Sequence, residues 1–411
     1  MSAPTPAESY LVVGGGSFLG RTIVDLLVER GDAHVSIFDG QPLSAEQTAL
    51  LPQGTTVPVF VGDITDADAV SNIVKTSGAT CIFHTGMVSN PLGVTSLASG
   101  PPPLTPQERD RLHKELAVLH TRVNLEGTRN LLSASLAHGV TKLVYTSNAD
   151  IFFDGTNRPG LTEDAAPYPL KCFFENLECK LQGERMVLSF NGIDELRTTA
   201  IRPAGYYGPE YAIGNWLKAV QVNPQLVAAQ IGDNTNLVDH TYVLNAAHAL
   251  VLAADRLAPA HPKHASVAGR AFFVSDGVPQ PIYDFTRTLW SHVMHAPPPR
   301  NDGAAVSRQF ALFTAGVADF FNGLRGKPQE MKKNISYLSA TRWCDISLAR
   351  DALDYVPLVS HDEGIRRTAE WWLQTQLKLC KEKGNASGSV EGPPPYNPNE
   401  GVVATEKSPF F

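Results

Sequence analysis

A glycine-rich loop near the N-terminus constrains the fold of this chain more than any other feature. The apolar run YLVV (10–13) precedes the loop, and an apolar helical pattern that stops at Gly31 follows it. The loop consists of Gly14, Gly15, Gly16, Ser17, Phe18, Leu19 and Gly20. Glycines at such a junction let the chain turn tightly, let the backbone approach a pyrophosphate and let helix N–H groups point at the anion. The pattern predicts a strand, loop and helix that bind a dinucleotide.

Short β-branched or aromatic runs alternate with helical segments along the first half of the chain. The runs are YLVV (10–13), VSIF (35–38), VPVFV (57–61), TCIFH (80–84), KLVYT (142–146) and TTAI (198–201). Because the runs are continuously apolar, the strands are expected to be buried on both faces of a mostly parallel sheet. We therefore predict an α/β fold: a Rossmann-type doubly wound parallel sheet with a smaller, interleaved C-terminal substrate-binding region.

The domain organisation follows from breaks in this rhythm. Residues 1–200 are predicted to form mainly the dinucleotide-binding domain, and residues 201–383 mainly the substrate-binding region, interleaved with the first. The Pro-rich stretch 90–113 is predicted to be a loop inserted after the fourth strand. The Gly, Pro and Ser-rich stretch 384–411 is predicted to be a disordered tail.

Two aspartates that follow strands are candidate cofactor ligands. Asp39 ends the second strand, where a carboxylate accepts hydrogen bonds from both ribose hydroxyls of NAD and repels the extra phosphate of NADP. NAD is therefore the expected cofactor, although Arg21 keeps NADP open as the less favoured option. Asp63 follows the third strand, where its side chain could meet the adenine edge or act as a helix N-cap.

The composition excludes several classes of protein. The chain has 411 residues, of which 43% are apolar and only 18% charged, so a disordered or fibrous protein is excluded. It has 34 basic and 41 acidic residues, and the net charge of −7 leaves no basic surplus for a nucleic acid. The five cysteines are widely spaced without a CxxC, which indicates reduced thiols. No His, Cys and Asp cluster has the spacing of a metal site, so no metal is expected.

Two segments bear on the cellular location. The N-terminal sequence MSAPTPAESY lacks the charged and apolar regions of a secretory signal, so we expect a cytosol-facing protein that is not secreted. The segment FALFTAGVADFFNGL (310–324) is too short to span a bilayer. Either a buried helix or a segment lying in a membrane interface, with its Phe side chains immersed, would explain it.

The chain shows a family resemblance in several stretches, which are spread over most of its length. They are GGGSFLG (14–20), HTGMVS (84–89), RVNLEGTRNLL (122–132), KLVYTSNAD (142–150), IRPAGYYGPE (201–210), IGDNTNLVDHTYVLNAAHALVLA (231–253) and TRWCDISLARDALDYVPLVSHDEGIRRTAEWW (341–372). With them the chain resembles an extended short-chain dehydrogenase/reductase, specifically the 3β-hydroxysteroid dehydrogenase and sterol-4α-carboxylate 3-dehydrogenase group. The resemblance implies NAD(P)-dependent oxidation of the 3-hydroxyl of a steroid or triterpenoid.

The glycine motif departs from the group's pattern. That pattern is TGxxGxxG, and in register this chain has Val13, Gly14, Ser17 and Gly20. Ser17 therefore replaces the middle glycine, and Gly16 is expected to take over the close approach to the dinucleotide. A serine in this place would cost about 1 kcal/mol if the position required a positive φ.

The catalytic positions depart further. The group carries a Ser at the end of the strand equivalent to KLVYT, and a Tyr-x-x-x-Lys on the helix that follows. In register, Asn148 stands at the Ser position, Asn176 at the Tyr position, and Lys180 is retained. Asparagine has no proton to exchange near neutral pH, so Asn148 and Asn176 could hold an oxyanion but could not relay a proton.

Four side chains are candidates for the missing proton relay. Lys180 could act as a base if burial lowers its pKa, and otherwise holds the nicotinamide ribose as in the resembled enzymes. The other three are better explained by structural roles. Glu175 is expected to be a solvated helix residue, Tyr168 to pack in its Pro-flanked loop, and His84 to be part of the structural scaffold. Fold architecture is the main explanation for the further positions of the resemblance, which are Asn124, Arg202, Tyr206, Tyr207 and the segment 239–242. The two tyrosines either pack in the interior or form a wall of the substrate pocket.

Three classes of function remain open at this point. The leading hypothesis is the NAD-dependent oxidoreductase that the resemblance implies, with a steroid- or terpenoid-like partner. The second is a non-redox isomerase, lyase or cyclase in which the two amides stabilise an enolate, and the third is a catalytically inactive nucleotide-binding paralogue. A peripheral contact of segment 310–324 with the endoplasmic reticulum membrane is expected by analogy. A homodimer is our working hypothesis for the oligomeric state, which the sequence does not determine.

Overall fold

The computed structural model describes residues 8–49, 56–86, 111, 115, 118–209, 217, 220, 223, 225–298, 305–324 and 330–387. The strands are β1 (Ser9–Val13), β2 (His34–Asp39), β3 (Val59–Val61), β4 (Cys81–His84), β5 (Lys142–Thr146), β6 (Arg158–Leu161), β7 (Arg197–Pro203), β8 (Gly205–Tyr207), β9 (Gln230–Ile231), β10 (Leu237–Val238), β11 (His240–Tyr242), β12 (Ala271–Val274), β13 (Gln280–Pro281), β14 (Ala305–Val306) and β15 (Arg342–Cys344).

The helices alternate with these strands over most of the chain. They are α1 (Phe18–Arg30), α2 (Ala45–Ala49), α3 (Ala67–Ser77), α4 (Gly127–Ala137), α5 (Glu178–Ser189), α6 (Gln225–Ala228), α7 (Val243–Arg256), α8 (His264–Val267), α9 (Ile282–Met294), α10 (Arg308–Leu324), α11 (Met331–Ser339), α12 (Ser347–Leu353) and α13 (His361–Ser387). A π-helical turn (Thr121–Glu126) leads into α4, and two short 3₁₀ helices occupy Ala149–Phe152 and Glu175–Leu177.

A seven-stranded parallel sheet forms the centre of the molecule. Its strand order is β12-β7-β5-β4-β1-β2-β3. Strands β1, β2 and β3 follow one another toward one edge of the sheet, and β4, β5, β7 and β12 follow one another toward the other edge. This confirms the predicted α/β fold with a parallel sheet covered by helices on both sides. The six predicted runs all form strands of this sheet, whereas its seventh strand, β12, was not predicted. In such a sheet the ligand crevice lies outside the carboxyl ends of the strands where the order reverses, here β1 and β4.

The helices cover both faces of this sheet with apolar side chains. On one face α1 packs against α7, and Ile23, Val24 and Leu27 of α1 are fully buried. On the other face α3 packs against α4, with Val70 and Leu131 fully buried. Helix α1 ends where it was predicted to end, because Gly31 adopts a φ of +93° and its N–H bonds back to the last turn.

A second, four-stranded sheet lies in the substrate region. Its order is β13-β10-β15-β6, and β15 pairs in parallel with both β6 and β10. Strand β6 follows β5 of the central sheet in the chain, whereas β15 comes close to the C-terminus. The small sheet therefore brings side chains from distant parts of the sequence next to the carboxyl end of β5.

Helix α10 corresponds to the aromatic segment 310–324. It buries Ala311, Ala315 and Asp319, whereas Phe313 and Phe320 are 68% and 63% exposed. The buried-helix explanation of this segment is therefore wrong, because the helix uses its small side chains for packing and turns its large ones outward. Among the helices of the described residues, none has both the length and the apolar character needed to span a bilayer.

Two predicted irregular segments fall largely outside the described residues. Of the stretch 90–113 only Arg111 is described, and it is helical. Helix α13 runs to Ser387, past the predicted start of the tail at residue 384, and residues 388–411 lie outside the described part.

Candidate active site

The glycine loop joins the end of β1 to the start of α1 and is closely packed. Gly14 has a φ of +78°, and a Cβ there would lie 2.5 Å from the Cα of Gly86. A Cβ on Gly20 would lie 2.1 Å from the carbonyl oxygen of Gly14. Side chains at either position would break the turn that directs the N-terminus of α1 toward the crevice. This cradle fits the pyrophosphate of a dinucleotide, since helix N–H groups and a bare backbone are what that anion requires.

Ser17 sits in this loop without backbone strain. Its φ of −76° and ψ of 164° are ordinary for any residue, and its hydroxyl accepts a hydrogen bond from Gly20 N at 3.2 Å as the N-cap of α1. The cost anticipated for a positive φ does not arise, because that requirement falls on Gly14. Gly16 donates its N–H to Asp39. Phe18 and Leu19 begin α1, with Leu19 buried and the Phe18 ring beside Gly208.

The two candidate aspartates lie next to each other along the edge of the sheet. Asp39 ends β2, and its Oδ2 accepts a hydrogen bond from Gly16 N at 3.0 Å, which holds the carboxylate against the glycine loop. Gly62 N donates to Asp39 O at 3.0 Å, which places the exposed Asp63 one strand further along. Asp63 Oδ1 accepts from Thr65 N, which lowers the pKa of its carboxyl. The N-cap explanation for Asp63 is wrong, because Asp66 caps α3.

Lys180 projects from α5 to the carboxyl end of β5. Its Nζ donates to Thr146 O at 3.3 Å and to Ser147 O at 3.5 Å. Burial lowers the pKa of Lys180 to about 7, while the Glu184 carboxylate one turn away opposes that shift. The hydroxyls of Thr146 and Ser147 are buried and have no hydrogen-bond partner among the described residues. The end of β5 therefore combines a titratable amine with two hydroxyls that no described residue pairs with.

The two asparagines lie at short 3₁₀ helices in the stretch of chain between β5 and α5. Asn148 follows β5 directly, and its Oδ1 accepts from Asp150 N at 2.7 Å, so the side chain caps the 3₁₀ helix Ala149–Phe152. This bond uses the carbonyl of the amide and leaves its NH₂ group as the donor. Asn176 lies in the 3₁₀ helix Glu175–Leu177 immediately before α5, and its side chain lies outside the described part of the structure.

A buried ion pair supports α5 behind Lys180. Arg202 at the end of β7 donates through Nη2 to Glu184 Oε1 at 2.6 Å and through Nε to Glu184 Oε2 at 3.0 Å. The Tyr168 hydroxyl donates to Glu184 Oε1 at 2.5 Å, and Arg202 also lies over the ring of Phe152. Burial raises the pKa of Tyr168, and the negative charge of Glu184 raises it further. Tyr168 is thus held in a structural network.

Two further relay candidates and two family positions are also engaged by other side chains of the protein. His84 is fully buried, bonds to Thr128 Oγ1 at 2.9 Å, and burial lowers its pKa to about 3. Glu175 is exposed in a surface ion pair with Lys171. Other side chains used for packing or buried hydrogen bonds are Asn124, which contacts His120, and Tyr207, which donates to Asp276.

A cavity of about 90 Å³ opens next to Asn148. It lies between the 3₁₀ helix Ala149–Phe152, the chain after β7, and the strands β6 and β15 of the small sheet. Its lining comprises Ala149, Asp150, Phe152, Phe153, Arg158, Leu161, Ala204, Gly205, Asp239, His240, Tyr337, Arg342, Trp343 and Cys344. One part of this wall is apolar and the other carries two arginines and two aspartates, which is the lining expected of a pocket for an amphipathic small molecule.

Within the described residues, no group of three His, Cys, Asp or Glu side chains could hold a metal ion.

Comparison with known proteins places this chain in a family. The sequence profile described as the 3-beta hydroxysteroid dehydrogenase/isomerase family matches residues 112–300, and a KR-domain profile matches residues 8–95. The chain is 30% identical over 379 residues to the decarboxylating sterol-4-alpha-carboxylate 3-dehydrogenase of Schizosaccharomyces pombe, covering 91% of this chain and 99% of that protein. The chain belongs to the 3-beta hydroxysteroid dehydrogenase/isomerase family.

Further members of this family match over most of their length. The human sterol-4-alpha-carboxylate 3-dehydrogenase is 28% identical over 374 residues, covering 89% of this chain and 88% of the human protein. The 3 beta-hydroxysteroid dehydrogenase/Delta 5→4-isomerase of Mycobacterium tuberculosis is 32% identical over 288 residues, 70% of each chain. The NAD complex of the Thermus thermophilus UDP-glucose 4-epimerase has a similar fold, with a TM-score of 0.58 and 20% identity over 89% of this chain and 98% of that one.

Sequence reasoning predicted a dinucleotide-binding loop at residues 14–20 but missed the wall of the cavity. Asp150, Tyr337 and Arg342 were not singled out, and Asp239 and His240 were explained as architecture. A signal for Arg342 was present, because it lies within the matching stretch 341–372. Nothing in the local pattern, however, indicated that β15 pairs with β6 and so faces the end of β5.

Proposed function

We propose that this protein is an NAD-dependent dehydrogenase that oxidises the 3-hydroxyl of a 4-carboxylated sterol or triterpenoid. The observation that carries this proposal is the near-complete coverage of the S. pombe sterol-4-alpha-carboxylate 3-dehydrogenase, 99% of its length, which includes the substrate region. Its cofactor is a nicotinamide dinucleotide, held by Gly14, Gly16, Ser17 and Gly20 at the start of α1.

We propose NAD rather than NADP because of Asp39. Its carboxylate faces the glycine loop and already accepts from Gly16 N, so it is positioned to accept hydrogen bonds from ribose hydroxyls. A phosphate on the same ribose would meet a negative charge there. Asp63, one strand further, is the candidate contact for the adenine edge.

The reaction class follows from the substrate that the relatives' names give. Oxidation of a 3-hydroxyl releases a proton from oxygen and a hydride from C3, and bound NAD supplies the acceptor for the hydride. The resulting ketone lies beta to the C4 carboxylate. When CO₂ leaves, the electron pair of the broken C–C bond passes to that ketone as an enolate, which then takes up a proton.

The chain must supply a proton acceptor without the tyrosine of the family pattern. Lys180 is the one titratable residue retained among the three pattern positions, and a pKa of about 7 leaves a large share of it neutral near neutral pH. We assign it the role of taking the hydroxyl proton. Asn148, whose NH₂ group remains a donor, and Asn176 are assigned to hold the substrate oxygen as charge develops on it.

The direct test is NADH formation, followed by absorbance, when the purified protein is incubated with NAD and a 4-carboxysterol. Lys180→Ala is the matched control, and turnover no faster than in that variant would remove the proposal. Asn176→Tyr provides a second arm: restoring the family's phenol should raise kcat if the reaction is redox. Product formation without NADH, unaffected by Asn176→Tyr, would instead identify a non-redox enzyme.

We further propose that α10 makes a peripheral contact with a lipid bilayer, at the cytosolic face of the endoplasmic reticulum. Phe310, Phe313, Phe320, Phe321 and Leu324 are between 51% and 70% exposed along this helix. The helix is held to α11 from its other side, since Asp319 accepts hydrogen bonds from Met331 N and Lys332 N. A contiguous aromatic face on a short amphipathic helix suits the headgroup boundary, where an apolar sterol would be delivered.

Co-sedimentation with phosphatidylcholine and phosphatidylserine vesicles tests this contact. The double variant Phe313→Glu/Phe320→Glu should lose vesicle binding, whereas Val356→Glu, at a 67% exposed valine elsewhere, should retain it. Sedimentation velocity of the same proteins tests the competing occupant, a second copy in a homodimer. A dimer that dissociates in the double variant, with no vesicle binding by the native chain, would contradict the membrane contact.

A further inference from the structure

The cavity beside Asn148 is lined in part by charged side chains and so suits a polar end group of a ligand. Its volume of about 90 Å³ has room for a small substituent, and it begins at Ala149 and Asp150, directly after the residue at the family's serine position. A ligand oxygen held at the end of β5 would therefore have its neighbouring substituent at the mouth of this cavity.

Arg342 provides the cavity with a fixed cation. It lies on β15, its side chain is 15% exposed, and its guanidinium carbon is 3.6 Å from the ring centroid of Tyr337. Its Nε is buried and has no hydrogen-bond partner among the described residues. Asp150 Oδ1 forms a long ion pair with Arg342 at 3.9 Å from Nε, which is beyond hydrogen-bond distance. The ring fixes the plane of the guanidinium while its donor remains unpaired.

The other titratable groups around the cavity leave this cation available. Asp150 Oδ2 already accepts from the Tyr337 hydroxyl at 2.7 Å, and Arg158 is paired with Asp154 on the surface side. Asp239 is 7% exposed, and its Oδ2 accepts from Cys344 N at 2.7 Å. Its Oδ1 is buried and has no hydrogen-bond partner in the part of the chain that the structure describes. Burial raises the pKa of Asp239 to about 7 and keeps the pKa of His240 well below its usual range. Asp239 can thus present a protonated carboxyl, which donates to an anion rather than repelling it.

We propose that Arg342, with the carboxyl of Asp239, binds the carboxylate of the substrate and so selects acidic sterols over neutral ones. This inference rests on the proposed function and assigns its specificity to two residues. A planar guanidinium donates two parallel hydrogen bonds to a carboxylate, a geometry that neither a hydroxyl nor a hydrogen at the same carbon reproduces.

The test compares two substrates in steady-state kinetics with NAD: a 4-carboxysterol and the same 3-hydroxysterol without the carboxylate. Arg342→Gln should raise KM for the acid on the order of 10- to 100-fold. It should change KM for the neutral sterol less than about threefold. Arg158→Gln is the matched control, because Arg158 lines the same cavity opposite Arg342 in the strand register but is paired to Asp154.

Arg342→Lys keeps the charge without the planar fork, and an intermediate KM for the acid supports the assignment even if Arg342→Gln folds poorly. An equal rise in KM for both substrates in Arg342→Gln, or no rise for either, overturns the assignment of Arg342. Equilibrium dialysis of the radiolabelled acid gives a readout that does not depend on turnover. If neither the native protein nor any variant forms NADH, the proposed function fails. Weaker binding of the acid to Arg342→Gln than to the native protein and to Arg158→Gln would still support the inference.

Discussion

Glu184 and Arg202 form a two-point ion pair in the interior, with side chains 0% and 6% exposed, and this pair fixes α5 against the end of β7. Glu184 is one turn beyond Lys180 on the same helix. The network that supports the chain's fold is thus the same one that positions the proposed proton acceptor.

Removing one partner of this ion pair should destabilise the protein strongly. Glu184→Gln leaves the buried Arg202 cation without a counter-charge, and the free energy of unfolding should fall by about 3–5 kcal/mol. Urea denaturation measures this change. Glu175→Gln is the control, because loss of the exposed pair Lys171–Glu175 should lower the free energy of unfolding by less than about 0.5 kcal/mol. Equal midpoints for the two variants would contradict the assigned importance of the buried pair.

The pH dependence of activity should report the titration of Lys180. Burial lowers its pKa to about 7, and only the neutral amine accepts a proton, so kcat/KM for alcohol oxidation should rise with pH through 7 and then level off. Lys180→Arg keeps the positive charge but stays protonated, so it should lose this activity at every pH tested. A native profile without an inflection between pH 6 and 8 would count against Lys180 as the acceptor.

Replacing Ser17 separates the requirements of the dinucleotide from those of the helix. Ser17→Gly restores the family glycine, but the native φ of −76° needs no glycine, so NAD affinity measured by calorimetry should change by less than about threefold. Ser17→Ala removes the N-cap and should lower the free energy of unfolding by about 1 kcal/mol. A large gain in NAD affinity in Ser17→Gly would show that the serine side chain obstructs the site.

Neutralising Asp39 should change the cofactor preference. Asp39→Asn keeps an acceptor for Gly16 N but removes the charge that opposes a ribose phosphate, so the ratio of NAD to NADP affinity should fall by about tenfold. Fluorescence titration with NADH and NADPH measures the ratio. Glu29→Gln, an exposed acidic residue on α1, is the control for the overall change in charge. An unchanged ratio in Asp39→Asn would mean that another residue sets the preference.

The sequence determined by itself those features that short segments encode. The continuous apolar runs predicted strands of the central sheet and Gly31 predicted the end of α1, and the structure confirms both. The junction of YLVV with the glycine loop predicts the dinucleotide site. Register with the family pattern also predicts that Asn148 and Asn176 replace its serine and tyrosine, because register along one chain needs no knowledge of the fold. Such features depend on side-chain periodicity and backbone freedom over a few residues.

Only the tertiary structure decided what surrounds the reacting end of the sheet. The pairing of β6 with β15 brings Arg158 opposite Arg342, and the packing behind Asn148 places Asp150, Asp239 and Tyr337 around one cavity. Likewise, the sequence could not show that Ser17 has a negative φ or that α10 turns its phenylalanines outward. These outcomes depend on contacts between residues far apart in the chain, and the free energy of such contacts is set by burial and packing rather than by local propensity.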